Sequence, residues 1–304
     1  MPGQELSPPK RTAPYAVIGL GMAAVSAASI FISLARAEGV PALVIAALRM
    51  ALAAGVAAPL ALVRARRELR AAPWKDRLLA VSSGVLLALH FGFWISSFDY
   101  TSVMSSVVFV STNPLFVGLA SWILLGERLG GGAILGVAVG AVGGALVGLG
   151  DLSRSGMTSI RGDGLSLLGA LSVSGYLLIG RRLRGRMSLA LYVGIAYTVA
   201  AVCLLSLLLI LGTPLGGYSI RGYLWVALLA VGPQLLGHTS YNWALKYLSA
   251  TFVTVTLLVE PIGATLLAIP ILGQMPRVMG LIGGLVILAG IFLTARAEAT
   301  TELV

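Results

Sequence analysis

From about residue 14 to residue 293 the chain is a succession of apolar runs, broken by short segments that hold almost all of its charge. One helical crossing of a bilayer takes about 20 residues, so ten runs use roughly 200 and leave roughly 100 for loops and ends. With 58% hydrophobic and 11% charged residues and a mean hydropathy of +0.97, the chain carries about half the charge of an ordinary globular domain. A soluble fold is excluded. A membrane β-barrel would alternate its apolar residues with a period of two, and runs such as Val81–His90 and Leu204–Leu211 do not. The sequence predicts an all-α membrane protein.

Hydropathy, punctuated by Gly, Pro and charge, places ten helices near 14–35, 41–63, 78–98, 102–125, 130–149, 164–180, 188–211, 223–244, 251–272 and 278–295. The chain then divides into a tail at 1–13, a five-helix unit at 14–150, a linker at 151–163, a second five-helix unit at 164–295 and a tail at 296–304. Lys10 and Arg11 ahead of the first run, with no small-residue cleavage site after it, read as an uncleaved signal-anchor. If the crossings alternate, fifteen of the 21 basic residues fall on one side, five on the other, and Arg49 lies inside a span. That bias predicts a bacterial inner-membrane protein with both termini in the cytoplasm and the 151–163 linker outside. The clusters Arg64, Arg66, Arg67, Arg70 and Arg181, Arg182, Arg184, Arg186 carry most of it. Topology therefore accounts for the formal charge of +10, and no nucleic-acid partner is predicted.

A shift of 147 residues lays Tyr100 on Tyr247, Ser102 on Ser249, Pro114 on Pro261, Gly126 on Gly273, Gly136 on Gly283 and Gly143 on Gly290. Matches in register over two helices and a loop argue for duplication of a five-helix unit. Five is odd, so the second copy enters the membrane from the opposite side, giving the inverted repeat of many secondary transporters. Glu127 in the first copy becomes Gln274 in the second, and Asp99 becomes Lys246.

The segment beginning PLFVGLASWILLGERLGGG at Pro114 and the segment beginning VEPIGATLLAIPILGQ at Val259 resemble the two copies of the EamA domain of the drug/metabolite transporter superfamily. Arg49 in ALRMALA is similar to an Arg that such proteins often carry in their second helix. The resemblance covers nearly the whole chain and is nearest to the YddG-like amino-acid exporters. It implies ten helices around a central cavity and a carrier of small metabolites, while Gln274 departs from the usual Glu of the second copy.

Charge at membrane depth costs roughly 2.5–3.5 kcal/mol or more per group, and the two ordinary charges there are Arg49 and Glu260. Glu260 precedes Pro261 near mid-span, and its repeat mate Asn113 precedes Pro114. Prolines there interrupt the helices and free backbone groups, the pointer to a transporter site. Glu260 either faces a water-filled cavity, binding substrate or a proton, or is structural, by pairing with Arg49 or ending a helix. His90 and Trp94 share one face of the third helix; Gln234, His238 and Tyr241 share one face of the eighth, with Asn242 beside it. Tyr176, four residues after Ser172, is a further candidate. Cavity lining and interfacial or core packing are both open for these aromatics.

Together these groups suit a zwitterion with an apolar side chain: a carboxylate for the amine, helix-end amides or Arg49 for the acid group, aromatic faces for the rest. The expected function is secondary export of amino acids, aromatic or other apolar ones among them, and related metabolites, with a multidrug, purine or sugar exporter as the alternative. Proton antiport and facilitated efflux stay open. Lysines occur only at 10, 75 and 246, no phosphate loop or H-E-x-x-H is present, and Cys203 is the single cysteine. No enzyme, cofactor or metal is predicted. Glycines 132, 136, 140, 144 and 148 form a stripe echoed by Gly280 and Gly284; packing within a monomer is its commoner use, and dimerisation the other. The expected partners are the small-molecule substrate and the lipid bilayer.

Overall fold

A computed structural model describes residues 12–125, 131–155, 157–248, 253–254, 256–257, 259–275 and 278–301, and no strand occurs among them. Lys10, Arg11, Gly126, Glu127, Ser249 and Arg277 lie outside the described residues. The helices are α1 (Ala13–Ser26), α2 (Ala28–Ala37), α3 (Ala42–Arg64), α4 (Arg66–Ala71), α5 (Trp74–Ser97), α6 (Val103–Val110) and α7 (Asn113–Leu125). They are followed by α8 (Gly131–Ser155), α9 (Met157–Arg184), α10 (Leu189–Ile210) and α11 (Ile220–Leu229), a π-helical segment (Ala230–His238), α12 (Thr239–Ala244), α13 (Val259–Leu272) and α14 (Val278–Thr301).

Local chemistry sets many of these ends. The hydroxyls of Ser102, Ser188 and Ser219 accept the backbone N–H of Ser105, Leu191 and Gly222, capping α6, α10 and α11. Gly273, at φ +63, takes the left-handed turn that closes α13. Among the described residues seven helical segments are long and apolar enough to cross a membrane, and three shorter apolar helices, Ile134–Val147, Val259–Leu272 and Val278–Leu293, fall where the fifth, ninth and tenth are predicted. The fourth predicted helix is two: α6 stops at Val110 and α7 starts at Asn113. Pro114 enforces the break, because its ring would strike the Val110 carbonyl of a continuous helix. In the eighth, Pro233 sits inside the π-helical segment, whose wider turn takes up a residue that donates no hydrogen bond.

The helices pack in a pattern that survives exchange of the two halves. The third predicted helix (α5) lies on the sixth (α9), and the eighth (the π-helical segment with α11 and α12) lies on the first (α1 and α2). In the same way α6 and α7 pack on α9, and α13 packs on α1 and α2. The pairs α3 with α10, α6 with α13 and α8 with α14 join counterparts directly. At the last of these, a Cβ on Gly143 would stand 2.7 Å from the Gly283 carbonyl oxygen, and one on Gly290 would stand 2.6 Å from that of Gly136. These contacts map onto each other under the 147-residue shift. The glycine stripe therefore serves packing within the chain: Gly136 and Gly140 border Gly290, a Cβ on Gly140 or Gly144 would point to Leu115 or Phe109, and Gly143, which meets Gly283, lies off the stripe.

Contacts between loops sort into two ends, as alternate crossings require. At one end Arg36 pairs with Asp99 and Ser219 donates to Glu38. At the other, Glu68 accepts the Ser188 N–H and Arg186 approaches Asp76 at 3.4 Å. The second end gathers both arginine clusters, and some of these side chains also act as caps: Arg181 donates to the Leu245 carbonyl, and buried Arg184 to those of Asn242 and Met187. Arg184→Ala is expected to destabilise the protein by about 3 kcal/mol, since hydrogen bonds from a charged group contribute more than neutral ones. Arg182→Ala, on an exposed neighbour, should change little, and thermal unfolding in detergent compares the two.

Candidate functional site

The break before α7 and the start of α13 meet near the centre of the bundle. Asn113 and Pro114 occupy the first turn of α7, after a turn in which Thr112 donates to the Phe109 carbonyl. Glu260 and Pro261 occupy the first turn of α13, with Glu260 N–H donating to Leu257 O at 2.9 Å. Each proline thus opens a half-helix, where its missing N–H costs nothing. The positive ends of both half-helices are turned to the same place.

That place is a cavity of about 30 Å³, room for about two waters. It is lined by Val25, His90, Trp94, Val110, Ser111 and Asn113 from the first half, and by Val173, Leu177, His238, Tyr241, Leu257 and Glu260 from the second. Six of the seven candidate side chains come together here. Tyr176 does not: it is buried and receives a hydrogen bond from Asn242 at 2.5 Å, outside the lining. The lining also repeats: Trp94 and Tyr241, Val110 and Leu257, and Asn113 and Glu260 are each 147 apart. The shift found in the sequence also pairs Trp94 with Tyr241, which their spacing on helix faces had already singled out.

Aromatic rings make one wall. His90 stacks on Trp94 with centroids 5.7 Å apart, and His238 lies 6.1 Å from His90 and 5.9 Å from Tyr241. His90 Nδ1 lies 3.0 Å from the Gly169 carbonyl; a carbonyl only accepts, so Nδ1 carries the proton, and in the neutral ring Nε2 is an acceptor. Trp94 and Tyr241 are each 2% exposed, which excludes the interfacial-belt reading for both. Trp94 Nε1, Asn113 Oδ1 and Tyr241 Oη are buried without a hydrogen-bond partner. Buried polar groups are seldom left so, and each costs about 1–3 kcal/mol. Trp94→Phe is therefore expected to leave thermal stability in detergent unchanged or slightly raised, in contrast to a core truncation, which lowers it.

Behind this wall lies a second polar layer. Arg49, fully buried, donates from Nε to Gln234 Oε1 at 2.9 Å, and its guanidinium carbon sits 3.9 Å from the centroid of Phe91. Phe91 in turn meets His238 edge-on at 5.2 Å. Arg36 pairs with Asp99 and Arg186 with Asp76, whereas no ion pair joins Arg49 to Glu260 among the described residues. Phe91 was missed by sequence reasoning because an apolar ring in an apolar span carries no signal. No group of acidic, His or Cys residues suited to a metal occurs among the described residues.

A helical membrane protein whose halves each contribute a proline-started half-helix to one shared cavity has the architecture of a membrane transporter. The chain is a member of the EamA-like transporter family, which matches it twice, over residues 14–149 and 160–296. It is 26% identical over 205 residues to a protein of Clostridium kluyveri described as an uncharacterized transporter, an alignment spanning 63% of each chain. A protein of known crystal structure has the same fold, with a TM-score of 0.66 at 22% identity over 96% of this chain and 99% of that one.

Proposed function

We propose that the chain is a secondary transporter that exports amino acids, aromatic and other apolar ones among them, and related small metabolites from the cytoplasm by alternating access. The observation that carries this reading is the convergence of Glu260, Asn113, Trp94 and Tyr241 from both halves on one cavity, three of them with buried polar atoms that lack partners. In this reading the chain crosses the membrane ten times in two inverted five-helix repeats, nearest to the YddG-like amino-acid exporters, with the arginine-rich end in the cytoplasm. The matching contacts of the two halves and the sorting of loops to two ends support it.

Glu260 takes the amine of the substrate or a proton, and the rings of His90, Trp94, His238 and Tyr241 hold the apolar side chain. A cavity of about 30 Å³ is too small for an amino acid as it stands, so substrate binding requires the half-helices α7 and α13 to part. The aliphatic share of the lining, with Val25, Val110, Val173, Leu177 and Leu257, favours a second reading, a drug or other-metabolite exporter. Uptake of labelled amino acids into liposomes containing the purified protein, with and without a pH gradient and with drugs as competitors, tests the proposal. Saturable uptake supports it, and the gradient arm separates antiport from facilitated movement. No uptake of any amino acid overturns the substrate class.

A further inference from the structure

Arg49 presents more hydrogen-bond donors than its surroundings accept. Its Nε is satisfied by Gln234 Oε1, but Nη1 and Nη2 have no partner, although the side chain is fully buried. Gln234 Nε2, on the same amide, makes no hydrogen bond either, although the Tyr197 hydroxyl lies close to both side chains. The orientation of that amide follows from chemistry: guanidinium nitrogens only donate, so the oxygen must face Arg49 and the NH₂ must point elsewhere. Two of these three donor atoms belong to the guanidinium itself, a delocalised cation whose removal from water costs several kcal/mol, and the third stands beside it. The Phe91 face offsets part of that, and it leaves the hydrogen-bonding deficit untouched. A donor-only set built around a guanidinium fork matches an anion with two acceptor oxygens.

The geometry points to a carboxylate subsite at Arg49 and Gln234, separated by Phe91 and His238 from the cavity at Glu260, which receives the acid group of the carried molecule when the Phe91 ring moves aside. The inference rests on the reading of the chain as a carrier of small zwitterions and adds to it a specificity determinant. Arg49 stands on α3 and Gln234 in the π-helical segment, whereas Glu260 and Asn113 stand on α13 and α7. The two ends of a zwitterion would thus bind to different helix pairs, drawing them together. A molecule with an amine and no acid group would engage only one pair.

Thermal unfolding of the purified protein in a buffer free of halides and carboxylates tests this with phenylacetate, with phenethylamine, which has the aromatic body but no carboxylate, and with chloride. Phenylacetate is expected to raise the midpoint in the native protein with an apparent Kd at least about tenfold tighter than in Arg49→Gln. Chloride at the same concentrations should give no comparable rise, and the phenethylamine response should depend on Glu260 rather than on Arg49. Gln234→Glu places a built-in carboxylate beside the guanidinium and keeps the test decisive if Arg49→Gln does not fold. That variant should start from a higher midpoint and lose its response to phenylacetate. Equal phenylacetate responses in the native protein and both variants would overturn the subsite, and a chloride response as large as that of phenylacetate would make it a site for inorganic anions. Loss of amino-acid transport as a substrate class, with the Arg49-dependent shift intact, would remove the export reading and leave the subsite standing.

Discussion

Gly290→Val is expected to leave little correctly folded protein. A Cβ at this position would stand 2.5 Å from the Gly140 backbone nitrogen and 2.6 Å from the Gly136 carbonyl oxygen. Both are main-chain atoms, so relief comes only by moving α14 away from α8. Overpacking a tight contact costs about 1–3 kcal/mol even where side chains can yield, and here they cannot. The consequence is larger in a bilayer than in water: lipid tails are as apolar as the helices, so the pair is held by close contact rather than by the hydrophobic effect. The same loss is expected for Gly143→Val, whose Cβ would meet Ile287 N at 2.6 Å and Gly283 O at 2.7 Å. Gly19→Ala and Gly55→Ala, at helical positions with nothing within 4 Å, should be neutral or stabilising by up to about 1 kcal/mol. Yield of monodisperse protein after size exclusion, with the thermal midpoint, reads the contrast. A Gly290→Val protein that behaves like Gly19→Ala would mean that α8 and α14 do not meet at these glycines.

Glu260→Gln should fold normally and lose about 100-fold or more in transport rate. The side chain keeps its shape and is half-buried at the cavity. No ion pair is broken, and removing a charge from membrane depth is neutral or favourable for folding. Transport is different, because an amide neither holds a proton for exchange nor attracts an ammonium group as a carboxylate does. A 100-fold loss corresponds to about 2.7 kcal/mol in the rate-limiting step, within the range for an uncompensated charge in a dry site. Initial rates of counterflow in liposomes, normalised to the folded fraction, measure it. A variant within about threefold of the native rate would show that Glu260 is structural. The repeat offers a further check: moving the acid to the mate position, Asn113→Glu with Glu260→Asn, keeps one carboxylate in the same cavity and should recover part of the activity.

Much of this site was legible before any coordinates. Glu260 and Asn113 stood out because charge and an X–Pro pair at mid-span are costly without a reason, and both line the cavity. His90, Trp94, His238 and Tyr241 emerged from spacing on single faces and all reach it. Tyr176 met a similar criterion and turned to Asn242 instead. Spacing assigns a residue to a face of a helix but does not say what that face meets.

The sequence by itself determined the membrane-crossing class, the placing of the apolar helices, the repeat at 147 residues, the two positions where helices break, and the grouping of the arginine clusters on one side. These follow from the length of apolar runs, from proline's missing donor and from the distribution of charge, all properties of the chain taken locally. Only the tertiary structure decided that the cavity is small, that Phe91 stands between it and Arg49, and that Gly143 and Gly290 carry the α8–α14 contact. In a soluble protein an apolar stripe marks the inward face, but here the lipid-facing and core-facing sides are both apolar, as exposed Leu285 and buried Ile287 on α14 illustrate. With that contrast gone, the inward face of each helix is set by how closely backbones and rings fit together, which is a property of the packed bundle and not of any one segment.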